Sequence, residues 1–177
     1  LKTDAKTIEF RLQLKPDDTK AWMWRGIAYF NTQKTDLAMA DFERSEGLEA
    51  NLKEEEKQAF RAEILYWKSL VLIRREEYAP ALALLNQSAD LNPNRYETFS
   101  WRGIANYRMR NFAAAVADYS RAVTLNPNDA AAFMNRGVAY YEMGEYKKSF
   151  EDLNTAGRMK YPLDRPFFMK VMKAAGY

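Results

Sequence analysis

The chain has 177 residues, 47% of them apolar, and 27 Lys and Arg against 24 Asp and Glu give a formal net charge of +3. Charge this balanced, spread in mixed sign along the chain, describes solvated helix faces and argues against a nucleic-acid binder driven by bulk charge. There is no histidine and no cysteine, which removes disulfides, thiol nucleophiles, thiolate metal sites and the commonest general base and metal ligand at neutral pH.

In chain order, Thr3 to Lys15 reads as a helix with Ile8, Phe10, Leu12 and Leu14 seeking cover, closed by Pro16-Asp17-Asp18. From there the chain repeats itself. Trp24-Arg25-Gly26-Ile27-Ala28 returns as Trp101-Arg102-Gly103-Ile104-Ala105 and as Asn135-Arg136-Gly137-Val138-Ala139, with a weaker copy in Trp67-Lys68-Ser69-Leu70-Val71. Gly26, Ser69, Gly103 and Gly137 stand 43, 34 and 34 residues apart, and Leu91-Asn92-Pro93-Asn94 returns after 34 as Leu125-Asn126-Pro127-Asn128. The longer first interval places extra residues in the acidic, helix-forming stretch from Gly47 to Arg61. If helical, that stretch lengthens the first helix of the second repeat by about 13 Å. Helical periodicity fills each repeat between Asn-Pro-Asn or Met-Gly-Glu turns, and alternating β-branched runs are absent, so each repeat is a helix-turn-helix pair. No apolar run reaches 18 residues and no signal-peptide pattern is visible; beginning at Leu1 rather than Met, the chain reads as an excised or processed piece.

The spacing of aromatic, small, Tyr, Ala, aromatic and Pro within a 34-residue period resembles the tetratricopeptide repeat (TPR). Its positions are held by Phe133, Gly137, Tyr140, Ser149, Leu153 and Tyr161 in the last repeat, where Ser149 and Tyr161 depart from Ala and Pro. The preceding repeat has Phe99, Gly103, Asn106, Ala115, Tyr119 and Pro127; the first has Trp22, Gly26, Tyr29, Ala38, Phe42 and Ala50. The second is the most divergent, with Leu65, Ser69, Leu72, Ala81, Leu85 and Pro93. The resemblance implies an all-α fold, a right-handed α-solenoid of antiparallel helix pairs. We expect a single domain over residues 1–177: a half repeat at 1–18, repeats at 19–52, 62–95, 96–129 and 130–163, an inserted helical extension at 53–61 and a capping helix at 164–177. Terminal covers of this kind are what a repeat stack needs at its open edges. Bacterial proteins commonly use the Arg-Gly version of the motif, so the resemblance points to a bacterial source; cytoplasmic and periplasmic placements are both compatible.

Within the repeats, Gly26, Gly103 and Gly137 are expected where paired helices touch, facing Ala38, Ala115 and Ser149. Arg25, Arg102 and Arg136 are expected to pair with Asp41, Asp118 and Asp152 on the second helix; the divergent repeat, with Lys68 and Leu84, loses the acid. By the resemblance, the first helices line a concave groove. The groove residues are then Trp24, Ile27, Tyr66, Trp67, Leu70, Trp101, Ile104, Tyr107, Arg108, Asn135, Val138 and Tyr141. Trp and Tyr with Arg beside them are the commonest anchors of protein interfaces, and an open aromatic strip calls for a covering partner. Some relatives clamp acidic chaperone tails with Lys and Asn on successive first helices; here only Lys20 and Asn135 fit, and the clamp is absent.

The expected function is therefore a non-catalytic scaffold binding a peptide or helical segment of a partner protein in an apolar and aromatic groove. No cofactor or metal is expected, and no transmembrane segment. Self-association through the N-terminal half repeat is the alternative. Single-stranded nucleic acid, stacked on Trp24, Trp67 and Trp101 with Arg74 and Arg108 on phosphates, is a weaker reading, because Glu63, Glu97 and Glu142 share that face. No carboxylate pair or glycine-rich phosphate loop supports an enzyme.

Overall fold

The computed structural model describes residues 5–177, and every regular element among them is helical: α1 (Ala5–Leu14), α2 (Thr19–Asn31), α3 (Thr35–Gly47), α4 (Glu54–Arg74), α5 (Tyr78–Leu91), α6 (Tyr96–Arg108), α7 (Phe112–Leu125), α8 (Ala130–Glu142), α9 (Tyr146–Arg158) and α10 (Arg165–Ala174). They form two compact units, one ending at Pro93 and one spanning Asn94–Tyr177. The expected start of the first helix at Thr3 lies outside the described residues.

Each pair, α2–α3, α4–α5, α6–α7 and α8–α9, is closed by one turn geometry. The amides of Lys34, Glu77, Asn111 and Glu145 donate to the carbonyls of Tyr29, Leu72, Asn106 and Tyr140, each at 2.9 Å. The residue before each of these amides, Gln33, Glu76, Arg110 or Gly144, has φ between 62° and 77°. This is the left-handed helix stop, which satisfies the last carbonyls while reversing the chain. Only the last of the four uses glycine. At the helix starts, Asp18, Asp129 and Asp164 accept from the amides of Ala21, Ala132 and Phe167 at 3.0, 3.2 and 2.7 Å.

In the first unit, α1 lies on α2 through Ile8, Leu12 and Ala21, while Phe10 and Leu14 stay exposed. The α2–α3 pair packs on α4–α5 around Phe42, Ile64, Val71 and Leu85, all fully buried. Close approach of paired helices is secured from the second helix, where the Ser45 hydroxyl donates to the Thr19 carbonyl at 2.6 Å and Ser88 to that of Ala62 at 2.8 Å. The acidic insertion is taken up partly as a 3-10 turn, Glu49–Asn51, and partly in α4, which has 21 residues where α2, α6 and α8 have 13. Its charges pair nearby: Lys20 meets Glu56 at 2.5 Å, and the Arg61 Nε meets Glu49 at 2.7 Å.

In the second unit, α7 packs between α6 and α8, and α10 covers α9 with a fully buried Val171. Phe168 and Tyr177 both lie against Phe150, at 5.5 and 4.6 Å between ring centroids.

The small residues of the first helices serve close packing, and the structure refines what they face. A Cβ at Gly26 or Gly103 would meet the rings of Phe42 and Tyr119 at 2.6 Å, and at Gly137 the Leu153 Cγ at 3.0 Å. The Ala38 and Ser149 backbone oxygens come next at 3.2 and 3.1 Å. Space is thus reserved chiefly for the large side chain one helical turn beyond the expected small one.

Candidate functional site

The three arginine–aspartate pairs tie first helix to second. Arg25 donates to both oxygens of Asp41 at 2.7 Å, Arg136 to both of Asp152 at 2.7 and 2.8 Å, and the Arg102 Nε to Asp118 at 2.9 Å. All three aspartates are buried. The Asp hydrogen bond, the largest influence, holds the guanidinium pKa of Arg25 and Arg136 above its ordinary value. Tyr29 and Tyr140 lie beside Arg25 and Arg136, at 5.5 and 6.0 Å from ring centroid to guanidinium. Where the middle copy has Asn106 in place of tyrosine, its amide donates to Asp118 at 2.9 Å instead. In the divergent repeat, Lys68 turns to Glu46 at 2.8 Å. These contacts fix helix register and supply no open chemistry.

On the first-helix face of the first unit, the expected open aromatic strip is largely occupied from within. Trp67 lies edge-on to Phe30 and Tyr66 at 5.6 and 5.4 Å, stacks on Phe42 at 6.5 Å, and its indole N–H donates to Glu63 at 2.6 Å. Trp24 rests against the Ile8, Leu12 and Ala21 cluster with Arg11 over its ring. Tyr66 and Leu70 are 5% and 4% exposed and belong to the core rather than to a ligand surface. The reason is geometric: one flank of a first helix abuts its neighbour in the stack, and residues on that flank are covered. Ile27 is half-buried. Arg74 is also committed, donating to the Phe30 carbonyl at 2.5 Å and lying 3.8 Å from that ring, so it is not poised for phosphate.

The second unit differs. Ile104, Tyr107 and Arg108 of α6, with Asn135 and Val138 of α8, surround a pocket of about 210 Å³ floored by Tyr119 of α7. Val138 also borders a second cavity of about 330 Å³, lined by Met134, Leu153, Tyr161, Leu163 and Phe168 among others and overwhelmingly apolar. Trp101 is half-buried on α6. Tyr141 closes against Tyr146 and Phe167 at 5.4 and 5.1 Å, with Lys170 at 5.1 Å from its ring.

The smaller pocket has an unusual polar content. Tyr119 is 2% exposed, yet among the described residues its hydroxyl has no hydrogen-bond partner, and neither does the Asn135 amide or the Arg108 guanidinium. Burial, the main cause, raises the phenol pKa of both Tyr107 and Tyr119, and Arg108 pulls each back down. Glu142 is the one carboxylate felt by Tyr107, against Arg108 and Arg110. Tyr119 was assigned from sequence to layer packing alone. The available signal was its repeat position: Phe42, Leu85 and Leu153 fill the equivalent place without a polar atom.

Among the described residues, no helix is long and apolar enough to cross a membrane, and no group of three His, Cys, Asp or Glu is placed to hold a metal ion.

A family model described as "TPR repeat" matches residues 111–156, and one described as "Tetratricopeptide repeat" matches residues 19–52. Compared by sequence with curated proteins, the chain has no match. Solved structures share its all-α helical-repeat solenoid fold. MamA is similar with a TM-score of 0.74 and 16% identity, over 88% of this chain and 86% of that one. MamA from Desulfovibrio magneticus RS-1 also gives 0.74, at 17% identity over 88% and 83%. YrrB, described as a TPR protein with an unusual peptide-binding site, gives 0.68 at 22% identity over 98% of this chain and 82% of its own.

Proposed function

Because the chain belongs to the tetratricopeptide-repeat superfamily, we propose that it is a non-catalytic protein-interaction scaffold that takes a peptide or helical segment of a partner on the first-helix face of its second unit. The observation that carries this reading is the gathering of Ile104, Tyr107, Arg108, Asn135 and Val138 around one pocket, beside an apolar cavity. Apolar walls with a few convergent polar groups are the general make-up of a ligand site. The first unit is the poorer surface, its tryptophans being spent on internal packing. YrrB supplies the precedent of a peptide site in this fold.

The test is to select random displayed peptides on the whole chain and measure the affinity of the best one by fluorescence anisotropy. Val138→Glu, at the border of both cavities, should weaken binding by about tenfold or more while the far-ultraviolet circular dichroism is kept. Trp67→Ala should lower the melting temperature and leave the affinity of the folded protein unchanged. Unaltered affinity in Val138→Glu would take the site off this face.

A second reading is self-association through α1. It is favoured by Phe10 and Leu14, which are 61% and 72% exposed on that helix. Sedimentation of the chain beside a Phe10→Ser/Leu14→Ser variant separates it, since only self-association responds to the pair of changes.

A further inference from the structure

We propose that the pocket between Ile104 and Val138 recognises a carboxylate side chain, so that the segment bound by the second unit carries an Asp or Glu with an apolar residue close by for the neighbouring cavity. This deepens the peptide-binding reading above and rests on it.

The starting point is Tyr119. A buried hydroxyl without a partner costs on the order of 1–3 kcal/mol, and the phenylalanine and leucines at the equivalent positions serve the fold without one. The hydroxyl has a use only if something that enters the pocket meets it. Two further groups at the same pocket are uncommitted, the Arg108 guanidinium and the Asn135 amide, and all three can donate. A carboxylate, an acceptor with two oxygens and roughly four lone-pair sites, can take a bond from each. An ammonium would face Arg108, and an apolar side chain would leave the hydroxyl, the amide and the charge unmet.

The surrounding charge agrees. Glu142, the acid nearest Tyr107, has Arg108 and Arg110 acting beside it and also acts on Lys170, which bonds to Tyr141. The volume, about 210 Å³, is below the roughly 300 Å³ at which pockets for drug-sized ligands begin. It suits one side chain of a longer segment. The larger cavity across Val138 has almost no polar lining, so a single segment lying across α8 would meet one charged and one apolar demand in succession.

The experiment uses the selected peptides on the whole chain. Asp or Glu should dominate one position among them. Replacing that Glu by Gln in the synthetic peptide should weaken binding by about tenfold or more, as should Arg108→Gln on an exposed residue with no structural contact to lose. Tyr119→Phe should weaken it by roughly fivefold while the melting temperature holds or rises, because the hydroxyl supports nothing in the free protein. Affinity should fall as salt is added. Peptides that respond to Val138→Glu but show no acidic preference, and ignore Arg108→Gln and Tyr119→Phe, would overturn the carboxylate while leaving the peptide site in place. Failure to select any peptide, or binding indifferent to Val138→Glu, would remove the site and the inference together. A dimer of the free chain that dissolves in Arg108→Gln would put a second copy in the pocket and overturn the assignment to a partner's segment.

Discussion

Gly103→Ala probes the helix contact and the pocket together. The added Cβ would stand 2.6, 2.8 and 2.9 Å from three ring atoms of Tyr119. That ring cannot swing aside at small cost. It is 2% exposed, clustered with Ala115 and Ala139 and packed by Ile104, Tyr107 and Val116. Overpacking of this kind costs about 1–3 kcal/mol. Alanine regains about 1 kcal/mol of helix propensity over glycine, so the net loss is about 1 kcal/mol. Gly47→Ala is the internal comparison: nothing lies within 4 Å of its added Cβ, and only the propensity gain, up to about 1 kcal/mol, applies. Urea unfolding followed by circular dichroism should therefore move the two midpoints in opposite directions, separated by about 2 kcal/mol. Since the displaced ring floors the pocket, Gly103→Ala should also weaken a selected peptide and Gly47→Ala should not. A midpoint raised equally in both variants would refute the packing argument, because Tyr119 would then be free to yield.

Two further substitutions test the polar interior. Asp118→Ala strips the partner from Arg102, whose side chain is 24% exposed, and from the Asn106 amide; the loss should be about 2–3 kcal/mol in chemical denaturation, and one below about 1 kcal/mol would mean that water replaces the carboxylate. Ser149→Ala removes a fully buried hydroxyl that has no hydrogen-bond partner and should raise stability by about 1 kcal/mol, or about 2–4 °C in melting temperature; a lowered melting temperature would show that the hydroxyl is satisfied.

Much of the fold was legible because repetition multiplies weak signals. One Trp-Arg-Gly run says little, but its return after 34 residues, together with Leu-Asn-Pro-Asn, fixes both the helix-pair unit and its length. The arginine–aspartate pairs can be read the same way, since a spacing kept in three copies and lost in the fourth marks a contact. The site was legible only in part. Helical periodicity gives the face of Tyr66 and Leu70 correctly, yet it does not tell which flank of that face meets the next helix, and both are core. Tyr119 was passed over because its ring behaves as packing, and only the fate of one oxygen separates it from Phe42. The apolar cavity owes its far wall to Tyr161, Leu163 and Phe168, at the last repeat's end and beyond it, where no internal copy exists to compare.

The turns that close the helix pairs give the protein a built-in adjustment. Gln33, Glu76 and Arg110 hold a backbone shape that suits glycine, the residue Gly144 supplies in the fourth pair. An L residue held there gives up roughly 1–2 kcal/mol, partly returned because a side chain narrows the unfolded ensemble by about 0.4–1 kcal/mol. Exchanging any one of the three for glycine therefore tightens a single pair by a fraction of a kilocalorie to about 1 kcal/mol without touching the faces where α6 and α8 meet a ligand. Cohesion and recognition are thus encoded at different sequence positions, so an engineer, or natural selection, can harden one helix pair while the other face is free to change its partner.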